Sequence, residues 1–288
     1  MSVRATLRRL VAEKNGLVVA GAYDCVSVRL VERAGFPAVY MTGFGTSASR
    51  LGLPDLGLAT LTEMATHASH LASCLSVPLI ADADTGYGNA LNVVRTVREY
   101  EKAGVAGLHL EDQVAPKKCG HIGGKQVVEA KEFADKIRAA VEYKTDPDFV
   151  IIARTDARAV TGIDDAIARA NLYREAGADV IFFEAPQSLA EIERVAREVK
   201  APLLANMVQG GRTPAMKVAE LERLGFKIVI FPGVCMRAAV PAIEHALEAL
   251  KASGTDWPDG APTLGPLDIF KKVGFDWWRG VEERFAPR

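Results

Sequence analysis

The densest group of reactive side chains lies in one short stretch, residues 108–121, which reads LHLEDQVAPKKCGH. An apolar run leads into the acidic pair Glu111 and Asp112, and two lysines, a thiol and an imidazole follow. A carboxylate at a strand end can bind a metal ion, and a thiol or imidazole on the next loop can transfer protons. The pattern predicts a strand that leads into a reactive loop, opposite a second acidic turn at residues 82–84.

Four carboxylates are candidate metal ligands: Asp55, Asp82, Asp84 and Glu111. They have no histidine partner in the sequence pattern, which favours a hard cation with oxygen ligands, such as Mg2+, over zinc. Aspartate is also common in ordinary turns, so the DAD motif taken alone fits a turn equally well. Its place directly after an apolar run favours the metal site.

Cys119 lies between Lys118 and the pair Gly120-His121. Neighbouring cations lower the pKa of a thiol, and the glycines of this segment would let it move over a ligand. The segment is therefore typical of a mobile loop, residues 115–125, that carries an acid or base. An exposed cysteine without a role is the alternative interpretation.

Polar residues follow the later apolar runs in the same way. Arg154 could bind a carboxylate through two parallel hydrogen bonds, or it could pair with Asp156 or Glu184 as a structural ion pair. Glu184 and Asn206 could contact a ligand, or their polar groups could merely be satisfied by hydrogen bonds. Arg237 could bind a second acidic group or cap its own helix.

Eight apolar runs must position these residues: 17–20, 38–41, 78–81, 107–110, 149–153, 180–183, 202–205 and 228–231. Each is nearly continuous rather than alternating, which is typical of parallel strands covered on both faces. Helical stretches separate them, and a glycine that can end a helix precedes every second strand. The pattern predicts an α/β fold, a (β/α)8 TIM-type barrel, whose polar strand ends converge on one rim.

The barrel is predicted to span residues 1–254, and residues 255–288 are predicted to form a turn-rich linker and a C-terminal helical segment. That segment carries Phe270, Phe275, Trp277, Trp278 and Phe285. So much aromatic surface predicts packing on a neighbouring subunit. Packing of an extra helix on its own barrel is the alternative.

The overall composition indicates an ordinary globular protein. The net charge of -1 gives no electrostatic basis for binding nucleic acid or an anionic membrane. No apolar run reaches the length of a membrane span, and the N-terminus has no signal-peptide core. The four cysteines are scattered, as in a reducing compartment, so a cytoplasmic location is predicted.

The assembled motifs are LGLPDLG at residues 51–57, DADTGYG at 82–88, EDQ at 111–113, KKCGH at 117–121 and ARTDA at 153–157. With these motifs the chain resembles the isocitrate lyase and phosphoenolpyruvate mutase superfamily over essentially its full length. The resemblance implies Mg2+, with Mn2+ as an alternative occupant, held by Asp82 and, mostly through water, by Asp55, Asp84 and Glu111. It also implies a homotetramer whose C-terminal helices exchange between neighbours.

The resemblance further implies a 2-oxo or 2-hydroxy acid bound to the metal, to the turn at residues 42–44 and to Arg154, with Cys119 as proton donor on a mobile loop. The candidate catalytic residues are Lys117, Cys119, His121, Arg154 and Glu184. The candidate substrate contacts are Tyr40, Thr42, Gly43, Phe44, Asp82, Gly120, His121, Arg154, Asn206 and Arg237.

Within the superfamily, the KKCGH motif resembles the lyases and is absent from phosphoenolpyruvate mutases and phosphonopyruvate hydrolases. The chain has the length of the short lyases, which include 2,3-dimethylmalate lyase, 2-methylisocitrate lyase and the petal death protein. The loop sequence KKCGHIGGK resembles 2,3-dimethylmalate lyase and the petal death protein more than 2-methylisocitrate lyase. Arg237, in contrast, resembles an arginine of the 2-methylisocitrate lyases that suits the third carboxylate of a substrate.

The expected function is cleavage of a carbon-carbon bond in a substituted malate or citrate. The alternatives are phosphorus-carbon bond formation of the carboxyphosphonoenolpyruvate mutase type, oxaloacetate hydrolysis, and a barrel that binds 2-oxo acids without turnover.

Overall fold

Eight parallel strands close into a barrel in the computed structural model, which describes residues 1–13, 15–256 and 264–286. Strands adjacent in sequence are adjacent in the barrel, and the eighth pairs with the first, which confirms the predicted (β/α)8 fold. The strands are β1 (Leu17–Ala22), β2 (Val39–Met41), β3 (Leu79–Asp82), β4 (Gly107–Glu111), β5 (Val150–Thr155), β6 (Val180–Phe183), β7 (Leu203–Asn206) and β8 (Ile228–Phe231).

The observed strand ends differ from the predicted ones mainly at the carboxyl side. The bounds of β6 and β8 match, but β3, β4, β5 and β7 run one or two residues further and take in Asp82, Glu111, Arg154 and Asn206. The ladder continues through these polar residues: Asp82 lies opposite His109, and Glu111 lies opposite Arg154. These four side chains are therefore held by strand pairing, whereas the reactive side chains of residues 117–121 lie on a loop.

Helices cover the outside of the barrel. They are α1 (Val3–Glu13), α2 (Cys25–Arg33), α3 (Gly43–Thr46), α4 (Leu61–Ser73), α5 (Ala90–Lys102), α6 (Ala130–Tyr143), α7 (Ile163–Glu175), α8 (Leu189–Glu198), α9 (Val218–Arg223), α10 (Val234–Ser253), α11 (Pro266–Lys272) and α12 (Phe275–Phe285). A π-helical turn (Ser47–Leu51) follows α3, and a 3-10 turn (Ala157–Ala159) follows β5. In the described part of the chain, none of the helices is long and apolar enough to cross a membrane.

The N-terminal helix closes the bottom of the barrel. Leu7, Leu10 and Val11 of α1 pack with inward-facing strand residues such as Val19 and Ile152 in one buried cluster. A second and larger cluster fills the space between the strands and the outer helices. Because α1 covers the amino ends of the strands, the rim at their carboxyl ends is the open face of the barrel.

The C-terminal helices leave much apolar surface exposed. As described, α10, α11 and α12 contain no buried residue, and Trp277 and Trp278 are 64% and 63% exposed. The exposed surface already begins on α10, with Ile243 and Leu247, upstream of the predicted boundary at residue 254. Most of the predicted linker, residues 257–263, lies outside the described residues.

Candidate active site

A cavity of about 230 Å³ opens at the carboxyl ends of the strands. This volume suits a small organic acid better than a dinucleotide. Most of the side chains singled out from the sequence line it: Tyr40, Thr42, Gly43, Phe44, Asp55, Asp82, Lys117, Cys119, Gly120, His121, Arg154, Glu184, Asn206 and Arg237. Asp84 and Glu111 lie behind this lining, while the strand-end pair Pro232-Gly233 also belongs to it. Sequence reasoning missed Phe182, Val208, Gly210, Gly211 and Ile230.

Asp82 forms the floor of the cavity together with the turn after β2. Its Oδ2 atom accepts a hydrogen bond from the Gly43 N–H at 3.1 Å, and its Oδ1 atom accepts one from the Asp84 N–H at 2.9 Å. A side chain at position 43 would overlap the Asp82 carboxylate, so the close approach requires glycine. Burial opposes ionisation, but His109, Lys117 and the Asp84 N–H outweigh it and lower the pKa of Asp82.

Tyr40 and His109 support Asp82 from the barrel interior. The Tyr40 hydroxyl lies 2.6 Å from His109 Nε2, which is 3.4 Å from Asp82 Oδ1. His109 is fully buried and does not line the cavity, as expected of a supporting residue. Burial, and then the charge of Asp82, keep the pKa of the Tyr40 phenol well above its usual value.

Lys117 lies among the acidic side chains. Its Nζ atom is 2.5 Å from Asp55 Oδ1 and 2.9 Å from Asp84 Oδ1. Burial alone would lower the pKa of Lys117, but Asp84, Glu111, Asp82 and Asp55 raise it well above the usual value. Burial raises the pKa of Asp84 to about 6, although Lys117 opposes this shift. The lysine is therefore a fixed positive charge that holds the acidic cluster together.

Arg154 contacts two carboxylates and one aromatic ring. Its Nε and Nη2 atoms donate to Asp156 at 2.8 and 3.1 Å, and the guanidinium lies 4.9 Å from the centre of the Phe182 ring. Its Nη1 atom is 3.3 Å from Glu111 Oε2. The two roles predicted as alternatives for Arg154 therefore occur together. Its guanidinium forms the structural ion pair with Asp156 and still faces the cavity.

A second buried carboxylate, Asp112, supports this arrangement from behind. It accepts hydrogen bonds from the Thr155 hydroxyl at 2.8 Å, the Tyr173 hydroxyl at 2.9 Å and the Asp156 N–H at 2.8 Å. Burial and the neighbouring charge of Asp156 raise the pKa of Asp112 to about 6. Asp112 therefore fixes the backbone that presents Arg154 and Asp156, a role that the sequence did not reveal.

His121 connects the reactive loop to the far wall of the cavity. Its Nδ1 atom accepts a hydrogen bond from the Arg212 N–H at 3.3 Å, and its Nε2 atom lies 3.2 Å from Glu184 Oε1. Burial lowers the pKa of His121, which favours the neutral ring at neutral pH. Asn206 donates to the other Glu184 oxygen at 3.2 Å.

Cys119 lines the cavity as a partly buried thiol. The expectation that neighbouring lysines lower its pKa is wrong: burial raises the pKa, and a hydrogen bond from the backbone N–H of His121 only partly opposes the shift. Lys117 is turned toward Asp55 and Asp84, and Lys118 donates to the Gly124 carbonyl. The thiol is therefore protonated at neutral pH, the form that an acid requires.

The acidic cluster has the ligand chemistry of a magnesium site. Among the described residues, no group of three or more histidine, cysteine or acidic side chains is arranged to hold a metal ion as it stands, since Lys117 lies between Asp55 and Asp84. The donors are all carboxylate oxygens, and neither buried oxygen of Glu111 accepts a hydrogen bond in the described structure, although Oε2 lies 3.3 Å from Arg154 Nη1. These residues fit an oxygen-preferring divalent cation.

Comparison with known proteins gives a consistent result. The phosphoenolpyruvate phosphomutase family model matches residues 7–251. The 2,3-dimethylmalate lyase of Eubacterium barkeri is 51% identical over 99% of both chains, and the 2-methylisocitrate lyase of Aeropyrum pernix is 48% identical over 86% of this chain and 80% of its own. A structure of oxaloacetate acetylhydrolase with 3,3-difluorooxalacetate superimposes with a TM-score of 0.94 at 39% identity, over 100% of this chain and 98% of that one.

Proposed function

Because the chain belongs to the phosphoenolpyruvate mutase and isocitrate lyase superfamily, we propose that it is a Mg2+-dependent carbon-carbon lyase acting on a substituted malate. The substrate class is a 2-hydroxy acid of the 2,3-dimethylmalate or 2-methylisocitrate type, and the products are a 2-oxo acid and a carboxylate. One observation carries the proposal: the thiol of Cys119, whose pKa is raised by burial, lines the same small cavity as Arg154 and Asp82. An acid and an anion-binding group around one small-acid cavity suit the cleavage of a carboxylate substrate.

The reaction begins when the substrate hydroxyl gives up its proton, which ends in solvent. The bond between the carbinol carbon and its neighbour then breaks, the carbinol carbon becomes the carbonyl of the 2-oxo acid, and the electron pair stays on the carbon next to the departing carboxylate. The Cys119 thiol donates its proton to that carbon and takes a proton back from solvent afterwards. Arg154 stabilises the negative charge, because its guanidinium is fixed before the substrate arrives.

Asp82, Asp55, Asp84 and Glu111 would hold the divalent cation. When bound, the cation polarises the oxygens of the hydroxy acid and stabilises negative charge on them. His121, Asn206 and Glu184 form the opposite wall and contact each other, so they orient the substrate and support the loop. Phe182, Ile230 and Pro232 give the cavity an apolar side that suits the alkyl substituents of a branched acid.

Removal of divalent cations is expected to abolish turnover, and added Mg2+ is expected to restore it. Asp82→Asn removes a carboxylate charge from the cluster, so it should raise the Mg2+ concentration for half-maximal activity by about 10- to 100-fold or more. The measurement is a Mg2+ titration of activity, with Mg2+ binding followed separately by calorimetry. Asp135→Asn, on the exposed face of α6, is the charge-matched control and should leave both curves unchanged. Full activity in excess chelator would contradict the metal assignment.

The exposed helices α10 to α12 support a proposal about assembly. We propose that they pack on neighbouring subunits of a homotetramer by exchange of the C-terminal helices, because isolated chains rarely expose this much aromatic surface. Light scattering should give the mass of four chains. A monomer in dilute solution that keeps full activity would exclude this arrangement.

A further inference from the structure

Lys125 is a buried lysine to which the proposed reaction gives no role. Its side chain is only 2% exposed. The Nζ atom donates to Asp156 Oδ1 at 2.7 Å and to the Gly120 carbonyl oxygen. A lysine is seldom buried unless its ammonium is paired and hydrogen-bonded, so both contacts are needed to keep it in place.

The acceptor of Lys125 also holds the cavity arginine. Asp156 receives both parallel hydrogen bonds of Arg154 as well as the ammonium of Lys125. Its own backbone is fixed by Asp112, the residue directly after strand β4. One rigid carboxylate on the barrel therefore binds the anion-binding group of the cavity and a side chain of the reactive loop.

The second contact of Lys125 reaches the most crowded point of that loop. Gly120 lies between Cys119 and His121, and a side chain there would overlap both Arg154 and Glu184. The loop backbone thus lies directly against the cavity groups at this residue. By holding the Gly120 carbonyl, Lys125 fixes the segment that carries the thiol and the imidazole.

We infer that the Lys125–Asp156 ion pair is a latch that holds the loop of residues 115–125 over the cavity and sets the position of Cys119. Lys125 is a positioning residue, since it touches the loop backbone and Asp156 and does not line the cavity. When the loop lifts, the ammonium leaves Asp156, which keeps Arg154 as its partner. The Asp156 carboxylate therefore stays paired with Arg154 when the loop is open, so opening the latch leaves no buried carboxylate without a counter-charge.

Lys125→Met tests the latch, with Lys125→Arg as the variant that keeps the charge and Lys131→Met as a matched control on the exposed start of α6. Hydrogen-deuterium exchange of residues 113–128 should become at least about ten times faster in Lys125→Met, while peptides from β5 and α7 keep their wild-type rates. Alkylation of Cys119 by iodoacetamide should accelerate in parallel. Lys125→Arg should recover much of the protection, and Lys131→Met should behave as wild type.

The kinetic effect rests on the proposed function. If Cys119 is the acid, Lys125→Met should lower kcat by about 10- to 100-fold with a smaller change in KM, because misplacement of a reacting group costs rate more than binding. Unchanged exchange and alkylation of the loop would overturn the latch, and so would an equal rise of exchange over the whole barrel. Faster loop exchange in Lys125→Met together with a fully active Cys119→Ser variant would support the latch but exclude Cys119 as the acid.

Discussion

Replacing Cys119 by serine is expected to lower kcat by about 10²- to 10⁴-fold, the usual contribution of a positioned acid. Serine preserves the size and the position on the loop, but an alcohol is a much weaker acid than a thiol. KM should change little, because the substrate contacts of Arg154 and Asp82 remain. The measurement is the steady-state rate of 2-oxo acid release at saturating Mg2+. Cys74→Ser, at the C-terminal cap of α4 and outside the cavity lining, is the matched control and should retain wild-type turnover.

The pH dependence gives an independent check of the same role. Burial raises the pKa of the Cys119 thiol, and the reactive form is the protonated one. Activity should therefore persist through neutral pH and fall only as the pH rises past the raised thiol pKa, above the ordinary value of about 8.5. This alkaline limb should be missing from the residual activity of Cys119→Ser. A serine variant with wild-type turnover, or with an unchanged alkaline limb, would exclude the thiol as acid.

Arg154→Lys is expected to lower kcat/KM by about 10²- to 10³-fold, as for loss of a fixed charge-stabilising donor. Lysine keeps the positive charge, but its single ammonium cannot make the two parallel bonds to Asp156 or stack on Phe182. The ammonium of the lysine would therefore be free to move and would lack the planar shape of the guanidinium. The measurement compares kcat and KM of both proteins, with thermal unfolding as a check that the barrel is intact.

Arg158→Lys is a matched control for that experiment. Arg158 makes the same kind of paired contact with Glu191, at 2.9 and 2.6 Å, but it lies at the edge of the barrel and does not line the cavity. Its replacement should leave kcat/KM within about two-fold of wild type, as expected for a partly exposed ion pair. If both variants lost activity equally, the effect at Arg154 would reflect general stability and not the cavity.

The sequence predicted the barrel well because its strands are buried on both faces. Near-continuous apolar runs located all the strands, and the bounds of β6 and β8 matched. The residues that end the strands were also identified, since a parallel barrel brings its strand ends to one rim. Phe182 and Ile230 could also have been predicted to line the cavity. Each lies two positions before a strand-end residue, Glu184 or Pro232, and residues two apart in an extended chain face the same side.

The contacts between these residues could not be predicted from spacing. The EDQ and ARTDA motifs contain Asp112 and Asp156, but nothing in them shows that one supports the other. The predicted direction of the pKa shift of Cys119 was wrong for two reasons. The lysines adjacent to it in sequence point away from the thiol, and the burial of the thiol cannot be read from the sequence of a loop. Val208 and Gly211 reach the cavity from a loop that has no sequence signal.

Product analysis with 2,3-dimethylmalate and Mg2+ tests the central claim most directly. The proposed reaction gives one pyruvate and one propionate for each substrate consumed, and 2-methylisocitrate would give pyruvate and succinate instead. We expect at least one of these hydroxy acids to yield its two products in equal amounts. Release of only oxalate and acetate from oxaloacetate, or formation of a phosphinate from carboxyphosphonoenolpyruvate, with both hydroxy acids intact, would contradict the assignment as a carbon-carbon lyase.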